Sequence, residues 1–500
     1  MGNELILSVD IGTGATKAVL FDAKLQQKAI GRAFYSIFAP QRGWSEQDPE
    51  EIFLGVQLAI DGALKTIPKG DHLAGIVFSS QMYSVLAVDP NGTPLTRSLT
   101  WSDTRSAAIA QEFRQNPHIN RIFQKTGCPI DAIYPLSKIK WLQQTFDLPS
   151  NSRFISIKEY VIFRLTGLFL VDWSIASSSG LMDIRQHTWD PDALSLTGLK
   201  PDQLSELTSP RFIIKDWLIK DSAIGSIPPG TPLIIGAGDG PLASLGVGAL
   251  ASHTLAVNVG TSTAARCIVQ HPIVDSNGRL WTYVLDEGYW VIGGISSSGG
   301  IVYDWFLKQF CSSPIHSETN SLEAERSAIE KLAADAPPAA DGLIFIPYLG
   351  GEQCPDWQPY TRGNFSGLDF MHTRGHLARA VLEGITRSIF RIAQTIQEEQ
   401  GSTFKEARVT GGMAASSIWL QIAADMFGIP VVAPDSSEGS ARGAAIIGWN
   451  ALGCYISLED FDPKSLPAKK IEPRQDIHSV YQEQYQHFLE ILKSARSTRM

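Results

Sequence analysis

Cysteine is scarce. Five residues in 500, Cys128, Cys267, Cys311, Cys354 and Cys454, lie far apart and form no Cys-x-x-Cys pair. That spacing excludes a zinc ribbon or a disulfide scaffold and predicts free thiols in a reducing compartment. Long apolar runs are absent too: no stretch approaches the ~20 residues of a membrane span. Met1-Gly2-Asn3-Glu4 leads into a short apolar strand, so no leader is expected, and Ile6 stands where a myristoylation site wants Ser or Thr. Basic residues are the minority, 42 Lys and Arg against 51 Asp and Glu, for a net charge of −9. With no basic run, a nucleic-acid backbone or an anionic membrane is a poor partner. Small molecules in a cytoplasmic setting remain. No Gly-x4-Gly-Lys-Ser/Thr loop, His-Arg-Asp or Asp-Phe-Gly set, or Gly-x-Ser-x-Gly elbow occurs. Gly246-Val247-Gly248-Ala249-Leu250-Ala251 fits a dinucleotide fingerprint in its glycines alone, without an acidic ribose partner, and reads as a close-packed helix or turn.

What is present is an ordinary globular composition, 44% hydrophobic and 19% charged, long enough for two to three domains. An internal echo narrows that number. Val9-Asp10-Ile11-Gly12-Thr13 aligns with Val257-Asn258-Val259-Gly260-Thr261, and apolar residues return after each turn. One echo at half-length marks a duplicated domain. Each copy reads as strand, Gly-Thr turn, strand. Elsewhere short apolar runs (Ala74 to Ser79, Leu233 to Ile235) alternate with helical patterns. His376 to Glu399 carries one apolar stripe closed by Gly401, and Ile418 to Phe427 is another helix. The expectation is an α/β fold with mixed sheets, split within GPLASLGVGAL into halves 1–245 and 246–500.

The chemistry-bearing residues cluster at the echo. Asp10 ends a strand ahead of Gly12-Thr13-Gly14 and Lys17, where glycines let backbone N–H groups approach an anion and the hydroxyl and ammonium add donors. Asp10 could hold Mg²⁺ through water. Gly260-Thr261-Ser262 supplies a second turn of the same kind. Val409-Thr410-Gly411-Gly412-Met413-Ala414 brings a double glycine into a helix, where a flat base can lie close to the backbone. Glu438-Gly439-Ser440-Ala441-Arg442-Gly443-Ala444-Ala445 has the small residues needed for tight helix packing between domains.

In this order the elements resemble the actin/sugar-kinase/Hsp70 superfamily and, more closely, the FGGY family of carbohydrate kinases. The resemblance runs from Asp10 to Gly448. Its most specific passage is Gly363-Asn364-Phe365-Ser366-Gly367-Leu368, seven residues, then His376-Leu377-Ala378-Arg379-Ala380-Val381-Leu382-Glu383. That passage matches the family's second signature; the first is nearly met by Pro135-Leu136-Ser137-Lys138-Ile139-Lys140-Trp141-Leu142, departing at Ile133. The resemblance implies two ribonuclease H-like (actin-like ATPase) domains, a duplicated β-hairpin phosphate motif and a cleft between the domains. It also implies ATP and Mg²⁺, with Asp10 as the metal residue, and Thr13, Gly14, Lys17, Thr261, Ser262, Gly300, Asp304, Gly411, Gly412 and Ser416 on the nucleotide. A homodimer is among the arrangements open to such a chain.

By the same resemblance, Asp239 in Ile234-Ile235-Gly236-Ala237-Gly238-Asp239-Gly240 takes the proton from the sugar hydroxyl. The residues agree: a carboxylate flanked by glycines leaves room for two ligands, and desolvation would raise its basicity. The family's sugar contacts fall on Gln81, Met82 and Tyr83, where many relatives read Met-His; Trp101 and Asp103, with Arg105, could line the same site, or Asp103 and Arg105 could form a structural salt bridge. Ile157-Lys158-Glu159-Tyr160, Asp172-Trp173-Ser174-Ile175-Ala176-Ser177 and Gly180-Leu181-Met182-Asp183 look like gluconate kinases. Pro347 to Glu352 with Trp357 leans the same way, while Gln353 replaces a common Arg. Phosphorylation of the terminal hydroxyl of D-gluconate is therefore expected. A pentulose or polyol kinase is the alternative, and an ATP-dependent sensor or filament former is the alternative from another class.

Overall fold

Alternation of apolar residues along Leu5 to Ile11 buries Leu5, Leu7, Val9 and Ile11 against a helix, and the strand they form organises the first sheet. In a computed structural model of the chain, which describes residues 4–67, 70–215, 217, 227–311, 322–435 and 438–497, both expected hairpins are present. Glu4–Ile11 runs antiparallel to Ala15–Asp22, with Asp10 opposite Lys17 and Ile11 opposite Thr16. Thr254–Val259 runs antiparallel to Thr263–Val269, with Asn258 opposite Ala264 and Val259 opposite Thr263. The echo is thus a repeat of backbone, while the carboxylate–ammonium pair across the first hairpin has no counterpart in the second.

The duplication extends through the sheets. The first runs Gln27–Phe34, Ala15–Asp22, Glu4–Ile11, His72–Ser80, Leu233–Gly238 and Ile213–Ile214. The second contains, in order, Tyr289–Ser296, Thr263–Val269, Thr254–Val259, Glu406–Gly411, Val431–Pro434 and Ala468–Ile471. In each, the hairpin's first strand pairs in parallel with the next strand inward, that strand pairs in parallel with a third, and an antiparallel strand closes the edge. This is the mixed α/β pattern expected.

Packing divides the chain into two compact units. The first comprises Met1–Leu250, Ile268–Val291 and Glu438–Asp462; the second comprises Ala251–Cys267, Ile292–Ser437 and Pro463–Met500. A single cut at 245/246 differs from this partition because two segments of the second half pack as part of the first unit. One is the Gly439–Ala451 helix, whose small residues lie on the Asp239–Gly246 helix, so the close packing read from its glycines occurs inside one unit. Gly443 is required there: a Cβ would come 2.0 Å from Leu242 O, and one on Gly246 would come 1.9 Å from Gly439 O.

In the second unit the long amphipathic segment forms the Arg374–Gln400 helix, ended by Gly401 in the left-handed conformation (φ +67°), and the shorter one forms Ser417–Phe427. None of the five cysteines is in a disulfide. Among the described residues no helix is long and apolar enough to cross a membrane.

Candidate active site

Three parallel strand ends meet in the first unit. Asp10 lies beside Ser79, and Ser79 lies beside Ala237 on its other flank. Asp10 and Asp239 therefore leave the same edge of the sheet with one strand between them, the position where open α/β sheets bind ligands. Ser79 Oγ donates to Asp10 Oδ1 at 2.6 Å. Burial raises the Asp10 carboxyl above its ordinary pKa; the Ser79 bond and the Lys17 charge oppose this and Glu438 adds to it. Asp239 is the first residue of the Asp239–Gly246 helix, directly after the Leu233–Gly238 strand.

Thr13, at the tip of the first hairpin, closes a ring of hydrogen bonds. Its hydroxyl donates to Gln81 Oε1 at 3.1 Å, Gln81 Nε2 donates to Gln47 Oε1 at 2.9 Å, and Gln47 Nε2 returns to Thr13 O at 2.6 Å. Trp101 Nε1 also donates to the Thr13 hydroxyl at 3.1 Å. A residue expected on phosphate is thus bonded to two expected on sugar. Gln47 carried no sequence signal. Lys17 is half-exposed and pairs with the buried Glu438 at 2.9 Å; Arg32 reaches the same carboxylate at 3.2 Å.

The other sugar candidates divide by burial. Met82 is buried. Tyr83 takes a positive φ of 65°, which turns its ring onto Tyr134 and Tyr283 at 5.7 and 6.0 Å between centroids, and its hydroxyl donates to Tyr283 Oη at 3.2 Å. Trp101 is 39% exposed, so its ring is available for stacking. Asp103 is 0% exposed. It accepts Ser45 N–H at 2.7 Å, Arg105 N–H at 3.1 Å and the Arg105 guanidinium at 2.9 Å, and that guanidinium lies 3.7 Å from the Trp44 ring centroid. In this structure the Asp103–Arg105 pair is an internal ion pair that shapes the Trp101 loop. Below both loops, buried Lys138 donates to Tyr83 O at 3.0 Å and to Thr100 O at 2.7 Å. Its place in the Pro135 signature was the one sign of it in the sequence.

The second unit holds the remaining candidates. At the second hairpin Gly260 N–H donates to Ser262 O at 2.9 Å, and the following helix docks on the turn through Gly300 N–H to Gly260 O (2.8 Å) and Ile301 N–H to Thr261 O (3.2 Å). Gly411 pairs with Val259 on the neighbouring strand. There φ is +78° and a Cβ would come 2.2 Å from Val259 O, so only glycine fits. Asn258, the echo of Asp10, donates to Thr410 Oγ1 at 3.0 Å. Asp304 pairs with Arg326, and Ser416 Oγ donates to Glu330 Oε2 at 2.9 Å, so both bind successive turns of the Leu322–Asp335 helix. Glu352 is buried against Arg391 and Arg496, the latter at 2.6 Å. The cation missing at Gln353 is therefore supplied from two other helices, and Glu352 is a structural carboxylate.

Duplicated mixed sheets, each led by a Gly-Thr hairpin, define an actin-like, ribonuclease H-like phosphotransfer fold. The chain belongs to the FGGY family of carbohydrate kinases: the family's N-terminal domain profile matches residues 5–246 and its C-terminal domain profile residues 255–452. It is accordingly a sugar kinase, with ATP as a substrate. Among its relatives, the gluconokinase of Bacillus subtilis (strain 168) is 37% identical over 465 residues, 92% of this chain and 89% of that one. Two crystal structures from Lactobacillus acidophilus, one described as a gluconate kinase and one as a ligand-bound xylulose kinase, each superpose with a TM-score of 0.90. Each is 31% identical and covers 99% of both chains.

Proposed function

We propose that this kinase transfers the γ-phosphoryl group of ATP to the terminal hydroxyl of D-gluconate, giving 6-phosphogluconate. The observation that carries the reading is the 37% identity with a gluconokinase along 92% of the chain. A pentulose kinase is the second reading, favoured by the equal structural likeness to the xylulose kinase.

Asp239 accepts the hydroxyl proton as the sugar oxygen bonds to the γ-phosphorus; the bond from phosphorus to the bridging oxygen breaks, and ADP leaves with those electrons. Little covalent chemistry falls to the protein, so positioning and charge neutralisation supply most of the acceleration. In the first unit Gln81, Met82, Tyr83 and Trp101 hold the sugar, Asp103 fixes the Trp101 loop, and Thr13, Gly14 and Lys17 meet phosphate. In the second, Thr261, Ser262, Gly300, Gly411 and Gly412 contact the nucleotide, and Asp304 and Ser416 border it. Among the described residues no group of three or more His, Cys, Asp or Glu could hold a metal. One carboxylate, Asp10, with one oxygen already bonded to Ser79, suits Mg²⁺, which keeps its waters and leans on phosphate oxygens. Bound there, Mg²⁺ would neutralise phosphate charge. Five cysteines outside any disulfide suit a cytoplasmic enzyme.

A coupled assay of ADP release over gluconate, xylulose, ribulose and glycerol tests the reading. Gluconate is expected to give the highest kcat/KM. Turnover of xylulose or ribulose with none of gluconate would move the assignment to the pentulose kinases.

A further inference from the structure

The peptide unit joining Ala237 to Gly238 is one unit ahead of the peptide that carries Asp239, and both of its polar groups are held by buried side chains. Lys158 Nζ donates to Ala237 O at 3.3 Å, and Gly238 N–H donates to Ser174 Oγ at 3.2 Å. The two grips share one anchor. Asp172 Oδ2 accepts from Lys158 Nζ at 2.7 Å, while Asp172 Oδ1 accepts Ile175 N–H at 2.9 Å and so caps the short helix that carries Ser174. Lys158, Asp172 and Ser174 are each no more than 1% exposed. None of them can touch a ligand directly, although their segments are those singled out for likeness to gluconate kinases.

We infer that Lys158, Asp172 and Ser174 are positioning residues that fix the plane of the Ala237–Gly238 peptide and thereby aim the Asp239 carboxylate. The argument is geometric. A glycine at 238 brings no side chain to limit rotation about its backbone bonds, and such a rotation would swing Asp239, the first residue of the next helix. Holding the carbonyl and the N–H from opposite sides removes that freedom. General-base transfer needs the carboxylate within about 2.6–3.2 Å of the proton's oxygen, and a misplacement of about 1 Å can cost a hundred-fold in rate. The inference rests on Asp239 being the base.

Ser174→Ala, Asp239→Asn and the double variant test both levels separately, with steady-state kinetics on sugar and ATP and thermal unfolding on each protein. S174A is expected to keep a native-like transition and KM values within two-fold for both substrates, while kcat falls about ten- to a hundred-fold. Added to D239N it should cost nothing further, because aim is irrelevant once the base is gone. A purely structural role would lower the double variant again and overturn the inference. So would an S174A kcat within two-fold of the native value beside an inactive D239N, or a raised sugar KM at unchanged kcat. Full turnover by D239N would overturn the base assignment itself. The pair K158M/D172N, which releases the carbonyl without stranding a buried charge, should reproduce the loss in kcat.

Discussion

Lys138 is the residue whose chemistry the fold has altered most visibly near the sugar loops. Burial pushes its ammonium down to about 7, against the pull of Asp103 and Asp131 and with the help of Arg105. A neutral amine keeps two N–H donors, and the two carbonyls it serves, Tyr83 O and Thr100 O, match that number. The folded chain then releases this proton near pH 7 and the unfolded chain near 10.5. Between those values the unfolded state binds the extra proton, so raising the pH through the window favours the fold, by at most ~1.4 kcal/mol per pH unit. The stability difference between native protein and Lys138→Met, from urea titrations at pH 7, 8.5 and 10, should therefore grow with pH. A flat difference would mean the ammonium stays charged in the fold. The same substitution frees the carbonyls of Tyr83 and Thr100 and should raise the sugar KM more than it lowers kcat. Asp239→Asn should do the reverse, costing about 10²–10⁴ in kcat with KM for ATP little changed; retained turnover would remove Asp239 as the base.

Between elements, the contact that fixes Asp239 from behind is the crossing of its helix with Gly439–Ala451. Because a Cβ on residue 443 would come 2.0 Å from Leu242 O, Gly443→Ala must push the two helices apart. Overpacking of this kind should destabilise the first unit by about 3 kcal/mol, read as a lower denaturation midpoint, and should lower kcat because Leu242 is one turn from Asp239. An unchanged midpoint would show that the crossing yields easily. These elements were unevenly legible in the sequence. The hairpins and the long helix could be read because their patterns are local: a Gly-Thr turn between apolar strands, and a stripe closed by Gly401. Asp10 and Asp239 could be read because each follows an apolar strand into glycines. Gln47 and Ser79 gave no such sign, and Lys158 and Ser174 only a family likeness without a role, since their partners lie 34, 69, 79 and 64 positions away. Asp103 could be read either as a sugar contact or as the partner of Arg105, two positions on, and the folded chain closes that pair on itself. The cations on Glu352, Arg391 and Arg496, lie 39 and 144 positions away and gave no local sign.

For the molecule as a whole, duplication and packing give different partitions, and the difference has a measurable consequence. The echo divides the chain near its middle, yet the first unit is completed by Ile268–Val291 and Glu438–Asp462. Those segments are part of its core. Ala441, Ala444, Ala445 and Ile447 are all 0% exposed, Gly448 leaves room for Ile6 and Val77, and buried Tyr283 meets Tyr83 and Tyr134. A fragment ending at 245 would expose the apolar faces these residues cover, at roughly 25 cal/mol for each Å² returned to water. That loss is large beside the 5–15 kcal/mol that holds a typical domain folded. The fragment 1–245 should therefore show no cooperative urea transition and should bind a hydrophobic dye, whereas the full chain unfolds sharply. A cooperative, dye-free fragment would show that the ancestral half still folds alone. It would also make the two returning segments later additions to a finished core rather than necessary parts of it.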